Sequence, residues 1–166
     1  MSFDTYMKIE TPDVAGESTA KGYDNGWFEI YSFSFGASNP VTIGPGSGGV
    51  SGGRVSVSSF NVMKKTEKSS PLLFNACCTG QHYGKISVDL RKATGTGGQS
   101  KFLTYQFEEC MVESIQWSGS TGGDDAPSES VSFAFAKVKV EYFKQSKDGT
   151  LKTAGEATWD QTTVAT

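Results

Sequence analysis

The chain has 166 residues, with 15 lysines and arginines against 18 aspartates and glutamates, so its formal net charge is −3. A chain of this length fits one domain and buries roughly 70% of the surface that its unfolded form exposes, so it needs neither disulfides nor a structural metal to fold. No basic run is longer than the two residues of Lys64-Lys65. This argues against a surface that follows a phosphate backbone, and so against nucleic acid as a partner.

The N-terminal stretch MSFDTYMKIE lacks the charged and apolar regions of a signal peptide, and the sequence contains no run of about 20 apolar residues. We therefore expect synthesis in the cytoplasm, no membrane insertion and, if the protein leaves the cell, export by a route that does not read a signal peptide. The cysteines Cys77, Cys78 and Cys110 are odd in number and two are adjacent. This pattern indicates reduced, mostly buried thiols.

Alternating apolar residues predict strands along most of the chain. The first is expected at residues 3–9, with Phe3, Met7 and Ile9 on one face. The next is expected at residues 27–35, with one face formed by Trp27, Tyr31, Phe33 and Phe35.

The stretch GASNPVTIGPGSGGVSGG lies between the strand that ends near Phe35 and another that starts near Arg54. Structureless loops of this length are uncommon in compact domains, and they are usually functional or disordered. We therefore predict a long glycine-rich loop that has a functional role.

One helix is predicted in SSPLLFNACCTG, over about residues 70–79. Ser70 is expected as its N-cap, Pro71 as its first helical residue and Gly80 as the residue after its end. Cys78 is expected to point away from the interior. The helical spacing predicts an inward face formed by Leu72, Leu73, Ala76 and Cys77.

Three longer strand patterns follow, with a hairpin turn predicted at residues 95–98. In the last of them the apolar phase changes between Phe135 and Val138, as a β-bulge would produce. Strands that change their buried face suit a curled, barrel-like pair of sheets. We therefore predict one mainly β domain over residues 1–166, in which residues 152–166 could form a flexible tail, although Trp159 suggests that part of this stretch docks. The inward residues predicted in the first two patterns are Ile86, Val88 and Leu90, and then Leu103, Tyr105, Phe107, Met111, Ile115 and Trp117.

Cys77, Cys78 and His82 are the residues that most suggest chemistry. A structural zinc site normally needs four ligands, and adjacent cysteines on a helix diverge by about 100°, so these three are a poor ligand set. A thiol nucleophile with His82 as its base leaves the third group and the oxyanion site unassigned. We favour a buried thiol and a histidine that holds a turn through a backbone carbonyl.

Two glycine motifs imitate functional signatures. GVSGG at 49–53 fits G-x-S-x-G with Ser51 as nucleophile, but a strand pattern follows where that motif needs a helix. GPGSGG at 44–49 fits G-x-G-x-x-G and also lacks the helix that would meet a pyrophosphate. A chain with 20 glycines produces such matches by chance.

Two carboxylate pairs are also unconvincing as acid–base couples. Glu108 and Glu109 are expected on opposite faces of a strand, and Asp124 and Asp125 lie in a loop.

The tryptophans Trp27, Trp117 and Trp159 would suit a sugar-stacking platform, but aromatic residues in a β domain are more often core or subunit contacts. Two alternatives to a non-catalytic domain therefore stay open: a carbohydrate-binding β-sandwich, or a small hydrolase using Ser51 or Cys78 with His82.

A set of blocks carries a more specific signal. YMKIETPDVAGES at 6–18 and SFSFGAS at 32–38 precede SGGRVSVSSFNVMKKTEKSSPLLFNACCTGQHYGKISVDLRKA at 51–93, and SESVSFAFAKVKVEYF follows at 128–143. In this order, over about residues 1–150, the blocks resemble the hemolysin-coregulated protein (Hcp) family, the tail-tube proteins of bacterial type VI secretion systems. Glu67 stands where the family usually has aspartate, which keeps the charge.

The resemblance implies a β-barrel-like fold and a hexameric ring, with rings stacked into a tube inside a contractile sheath. It implies that contraction expels tube and spike and that the lumen carries effectors. The implied partners are further copies of the chain, sheath and spike proteins, and effector cargo. The implied location is the cytoplasm before firing and the outside of the cell afterwards. The family implies neither catalytic residues nor a cofactor.

In this family the glycine-rich loop lies at subunit or ring contacts. The resemblance therefore implies a contact role here for Asn39, Pro40, Val41, Ile43, Pro45, Val50 and Arg54.

Overall fold

A computed structural model describes residues 2–45, 48–93, 98–123, 125–147 and 149–166, and for Ser51 it describes the backbone only. Most of the turn predicted at 95–98 therefore lies outside the described residues. The helix and the strands are β1 (Phe3–Glu10), β2 (Phe28–Ile30), β3 (Ser32–Ser34), β4 (Ala37–Ser38), β5 (Val41–Gly44), β6 (Gly49–Gly52), β7 (Ser56–Val57), β8 (Phe60–Lys65), α1 (Ser70–Thr79), β9 (His82–Ala93), β10 (Gln99–Ser118), β11 (Ser128–Gln145) and β12 (Leu151–Asp160).

Eight strands form one curled sheet that nearly closes into a barrel, in the order β2-β1-β9-β10-β11-β8-β3 with β12 beside β11. β2 and β3 are one stretch of chain that pairs first with β1 and then with β8. Between them Tyr31 bends the chain, and its N–H donates to the Met63 carbonyl at 3.0 Å. This stretch therefore brings the two ends of the sheet together. The predicted mainly β, barrel-like fold with one helix is confirmed, although it has one large sheet and two sheets of two strands each.

Two predicted strand faces are wrong, the first of them because of this bend. At 27–35 the inward residues of β2 are Phe28 and Ile30, while Tyr31 is 53% exposed. Strict alternation fails here because β2 and β3 pair with different strands on either side of the bend. In β1 the inward position predicted for Phe3 is wrong, since this residue at the strand's end is exposed and Met7 is buried.

β11 has β10 on one side along most of its length, and on the other side β8 pairs with residues 128–133 and β12 with residues 137–145. Gln161 bonds to the part of β11 that lies between these two pairings. Its N–H donates to the Ala136 carbonyl and its side-chain amide donates to the Phe135 carbonyl, both at 2.8 Å. A flexible tail at 152–166 is therefore wrong for most of this stretch, which is strand β12 and the turn after it. The docking expected from Trp159 is confirmed, because this residue packs against the core.

The predicted change of phase in β11 is confirmed, since Phe135 and Val138 are both buried. A bulge does not produce it. Cys110 lies opposite Phe135 and Glu108 opposite Lys137, so the register of the two strands is the same on both sides of the change. β10 and β11 therefore change which side of the strand is buried at the same point along their pairing.

Because β10 also changes phase, the inward positions predicted for Met111 and Trp117 in its second half are wrong, whereas Ile115 packs against the core as predicted. Glu109 has a φ of 53°, and Cys110 and Val112 are buried after it. Met111 is only half-buried and Trp117 is exposed. By contrast, the inward face predicted for β9 is confirmed, because its apolar side chains Ile86, Val88 and Leu90 are buried.

The helix spans the predicted residues, Ser70–Thr79. Its N-cap is Ser69 rather than Ser70, and the helix ends at Gly80, which is left-handed with φ 70°. Of the side chains predicted to face inward, Leu73 and Ala76 are buried and Cys77 is half-buried, but Leu72 is 49% exposed because the buried stripe of α1 is narrow.

The predicted structureless loop is in fact built from short strands. β4 pairs with β7, and β5 pairs with β6 to form a hairpin. The apolar residues on either side of the glycine-rich turn pair across the hairpin, so the glycine content does not exclude strands. Gly46 and Ser47, at the turn, lie outside the described residues.

Candidate functional site

The β5–β6 hairpin carries most of the residues for which a contact role is predicted. Val41 and Ile43 lie on the same side of β5 by alternation, and Val50 is directly opposite Ile43. These three side chains form one apolar face, which we call the hairpin face. They are 52%, 76% and 72% exposed, in that order, so most of this face is open to solvent.

Hydrogen bonding fixes the base of the hairpin. The Gly53 N–H donates to the Pro40 carbonyl at 2.7 Å, and the Asn39 side chain lies against β6. Pro45 follows β5 in the turn, and Arg54 is exposed just after the base. The structure thus brings the predicted contact residues together on or beside one projecting hairpin.

The structure does not form an active site from Cys78 and His82. Cys78 is exposed on α1, and His82 is exposed at the start of β9 with no side-chain hydrogen bond among the described residues. The prediction that His82 holds the turn is therefore wrong. Gly80 and Gln81 do so, because both of their N–H groups donate to the Ala76 carbonyl, at 3.0 and 3.1 Å.

The other two thiols belong to the interior. Cys77 lies 3.7 Å from the Glu113 carbonyl. Cys110 is buried, and burial is the main cause that raises its pKa to about 12, so its thiol is protonated at neutral pH. Within the described ranges, no group of three or more His, Cys, Asp or Glu side chains is arranged to hold a metal ion.

The candidate sites that rest on the two glycine motifs and on the carboxylate pairs are not supported by the structure around them. Ser51 lies in β6 and the next element is β7, so no helix follows as the nucleophile elbow requires. Its side chain lies outside the described part of the chain, as do Gly46 and Ser47 of the second motif and Asp124 of a carboxylate pair.

The tryptophans do not form a shared platform, since each packs against different neighbours. The ring centroids of Trp27 and Tyr23 are 4.8 Å apart, and those of the exposed Trp117 and of Phe74 are 5.4 Å apart. Trp159 packs against the core from β12.

A buried polar network connects β8, β11 and the start of α1. The ammonium of Lys64 donates to the Glu129 carboxylate, and both side chains have no exposed surface. Lys64 also donates to the Ser70 hydroxyl at 3.1 Å, and Ser70 donates to Glu129 Oε1 at 2.6 Å. Sequence reasoning missed this network, although both charged residues fall on the inward phase of their strands.

Glu67 extends the same network to the surface. Its Oε1 accepts from the Ser69 hydroxyl at 2.6 Å, and its Oε2 accepts from the Glu17 N–H at 3.0 Å. The KSSP segment therefore ties the start of the helix both to the barrel wall and to the segment between β1 and β2.

That segment covers the outer face of β1 and β9. Tyr23 stacks on Tyr6 with ring centroids 4.6 Å apart and donates to Asp89 at 3.1 Å. Arg91 lies over both rings and donates to the Tyr6 hydroxyl at 3.1 Å. Burial, and then the Asp89 charge, raise the pKa of Tyr23 well above its usual range.

The described residues thus place the chain in the class of barrel-like, mainly β proteins, with the hairpin face as its distinctive exposed feature. The comparisons with known proteins agree with this class. A family profile described as "Type VI secretion system effector, Hcp" matches residues 6–142. The chain belongs to this Hcp family of type VI secretion system proteins, as the sequence resemblance predicts.

Individual relatives support the same assignment. Protein hcp1 of Pseudomonas aeruginosa is 38% identical over 96 residues, which are 58% of this chain and 58% of that protein. The chain thus aligns with less than two thirds of that relative. A solved structure of a type six secretion system protein has a TM-score of 0.89 at 32% identity, and Hcp1 from Salmonella typhimurium has 0.73 at 26%. Each covers 99% of both chains.

The family is one of structural secretion proteins and not of enzymes. Its solved structures imply oligomeric assembly. No helix in the described part of this chain is long and apolar enough to cross a membrane.

Proposed function

We propose that this chain is a subunit of the tail tube of a type VI secretion system. Six copies form a ring, and the rings stack into a tube that sheath contraction expels from the cell together with the spike. The lumen of the tube carries effector proteins. Before firing, the subunits are in the cytoplasm.

The hairpin face carries this proposal. A two-stranded hairpin is marginally stable in water on its own, and contiguous exposed apolar side chains usually mark an interaction site. Val41, Ile43 and Val50 project such a face. Contact with another copy of the chain would bury it and hold the hairpin in place.

The barrel supports the same role. β12 has a strand partner on one side only among the described residues, so its other edge offers backbone groups to a neighbour. The nearly closed barrel and its buried polar network provide a rigid unit that repeats without changing shape.

Electron microscopy of the purified protein tests the proposal. We expect negative-stain images to show six-membered rings, and stacks of rings at high protein concentration. A protein that stays monomeric at high concentration would contradict the proposal.

The double variant Ile43→Ser/Val50→Ser tests the hairpin face. We expect it to fold normally and to lose rings or stacks. The matched control Leu72→Ser, which removes an exposed apolar side chain from α1, should assemble as the parent does. Equal assembly of the parent and the hairpin variant would remove the hairpin from the proposal.

A further inference from the structure

An open groove of about 880 Å³ lies on the outside of the barrel, between the segment after β1 and the end of β8. We call it the acidic groove, and its charged and aromatic lining consists of Tyr6, Glu17, Glu29, Tyr31, Lys65 and Glu67.

The groove has an excess of negative charge. The Glu67 carboxylate is occupied by the Ser69 hydroxyl and the Glu17 N–H. The carboxylates of Glu17 and Glu29 are exposed, and neither makes a hydrogen bond or an ion pair within the described residues. Lys65 is the one cation lining the groove in that part of the chain, and it lies 5.9 Å from the centre of the Tyr31 ring.

The wall of the groove is held in place before any partner arrives. Ser18 N–H donates to the Trp27 carbonyl at 3.0 Å, and Gly16 N–H donates to the Gly26 carbonyl at 3.2 Å. The residue between Gly16 and Ser18 is fixed as well, because the Glu17 N–H donates a hydrogen bond to the Glu67 carboxylate. A preformed wall loses little conformational entropy on binding, so less of the attraction between its charges and a partner is offset by the cost of ordering the wall.

A second surface has the opposite charge. We call it the cationic strip, and it consists of Lys92, Lys101, Lys144 and Lys152. The ammonium of Lys92 is 5.0 Å from the centre of the Phe102 ring, and that of Lys101 is 4.8 Å from the centre of the Phe143 ring. A hollow of about 220 Å³ lies among the first three lysines and these rings.

Two of these lysines repel each other as long as no partner covers the strip. Lys144 on β11 lies directly opposite Lys152 on β12, and like charges in facing positions destabilise a sheet. None of the four lysines forms an ion pair with a described residue. A partner with carboxylates would relieve the repulsion that the chain itself leaves.

The two surfaces lie towards opposite ends of β11. Ser128, at its first residue, lines the acidic groove, and Lys144, near its end, lines the cationic strip. One copy cannot bring them together, whereas two copies arranged head to tail can. Head-to-tail contacts of this kind close into rings or continue as filaments.

We propose that the cationic strip of one copy docks into the acidic groove of the next, with Lys101 and Lys144 facing Glu17 and Glu29. This inference rests on the proposed function, because it names the surfaces through which the copies associate. The aromatic rings beside the charges, Phe102 and Phe143 on one side and Tyr31 on the other, exclude water from the contact.

Charge reversal tests the pairing. The groove variant Glu17→Lys/Glu29→Lys and the strip variant Lys101→Glu/Lys144→Glu should each need at least about tenfold more protein to assemble, because like charges then face each other. The quadruple variant and the equimolar mixture of the two double variants should both regain assembly, since every contact again joins opposite charges. Sedimentation and negative-stain microscopy measure assembly, and circular dichroism verifies that each variant is folded.

The control Asp13→Lys/Glu109→Lys makes the same change of net charge at exposed sites outside both surfaces, and it should assemble as the parent does. Raising the ionic strength from about 0.01 M to about 0.1 M should weaken assembly of the parent, because the Debye length falls from about 30 Å to about 10 Å.

The outcomes separate this inference from the proposed function. A parent that does not assemble overturns both. A parent that assembles while the reversed variants assemble equally well overturns only the pairing of groove and strip. The same conclusion follows if the control fails as the groove variant does, or if neither the quadruple variant nor the mixture recovers.

Discussion

Lys64 and Glu129 form an ion pair in the interior of the protein, and neither side chain has any exposed surface. The Ser70 hydroxyl bonds to both, so the first residue of α1 is attached to two strands of the barrel. Glu129 Oε2 is buried without a described hydrogen-bond partner. The carboxylate therefore depends on Lys64 for the compensation of its charge.

Lys64→Met should lower the free energy of unfolding by about 3–5 kcal/mol, because it leaves the Glu129 carboxylate buried and uncompensated. The double variant Lys64→Met/Glu129→Leu should be more stable than Lys64→Met alone. Urea unfolding at a fixed protein concentration measures both.

A surface ion pair provides the control for this prediction. Lys139 lies 3.5 Å from Glu156 with both side chains substantially exposed, so Lys139→Met should cost only about 0–1 kcal/mol. Equal losses for Lys64→Met and Lys139→Met would contradict a special role for the buried pair.

The buried thiol of Cys110 should make stability fall at alkaline pH. Burial, and then the Glu108 charge, raise its pKa to about 12 in the folded protein, whereas a thiol in an unfolded chain has a pKa of about 8.5. The contribution of the Cys110 thiol to stability is fully present at pH values below the pKa of the thiol in the unfolded chain. Above that pKa the unfolded state loses its proton, whereas the folded state keeps it. The free energy of unfolding then decreases by at most about 1.4 kcal/mol per pH unit.

Urea unfolding between about pH 8.5 and about pH 9.5 tests this, a range that lies below the usual titration of tyrosine. Cys110→Ala should be less stable at neutral pH but should show a shallower decline over this range. Cys78→Ala, which removes an exposed thiol, should keep the parent's slope. A parent whose stability does not change over this range would refute the prediction.

Gly16 is a position where a side chain has no room. A Cβ there would lie 2.3 Å from the Trp27 carbonyl oxygen, and the groove wall depends on this close approach. Gly16→Ala should therefore destabilise the protein by at least about 1–3 kcal/mol in thermal or urea unfolding. Gly36→Ala is the matched control, since a Cβ there meets nothing within 4 Å. If both variants unfold alike, the segment after β1 is not packed as described.

Alternation along the sequence was sufficient for strands that pair regularly, such as β9. Pro71 and Gly80 were sufficient to place α1, although its N-cap is Ser69 and not Ser70. Alternation failed where the backbone bends. Tyr31 and Glu109 each occupy a point where a strand changes direction or face, and no side-chain pattern marks such a point. The hairpin was hidden for a different reason, because its glycines outweigh three apolar residues in a composition-based reading.

The proposed contact surfaces were predictable only in part. A contact role for the glycine-rich loop is an expectation from the family resemblance, and the structure gathers the residues concerned on or beside one hairpin. Lys64 and Glu129 were not predicted as a pair, because charged residues on an inward phase look like interruptions until their partners are known. The acidic groove joins residues from β1, β2, β8 and the segment between β1 and β2, so no local pattern announces it.

His82 and Gly80 test which residue ends the helix. His82 is exposed and its ring has no described hydrogen bond, so His82→Ala should change the free energy of unfolding by less than about 0.5 kcal/mol. Gly80 has a left-handed backbone that ordinary residues adopt at a cost, so Gly80→Ala should lose about 1–2 kcal/mol. Urea unfolding distinguishes the two variants. A larger loss for His82→Ala than for Gly80→Ala would restore the histidine as the residue that holds this turn.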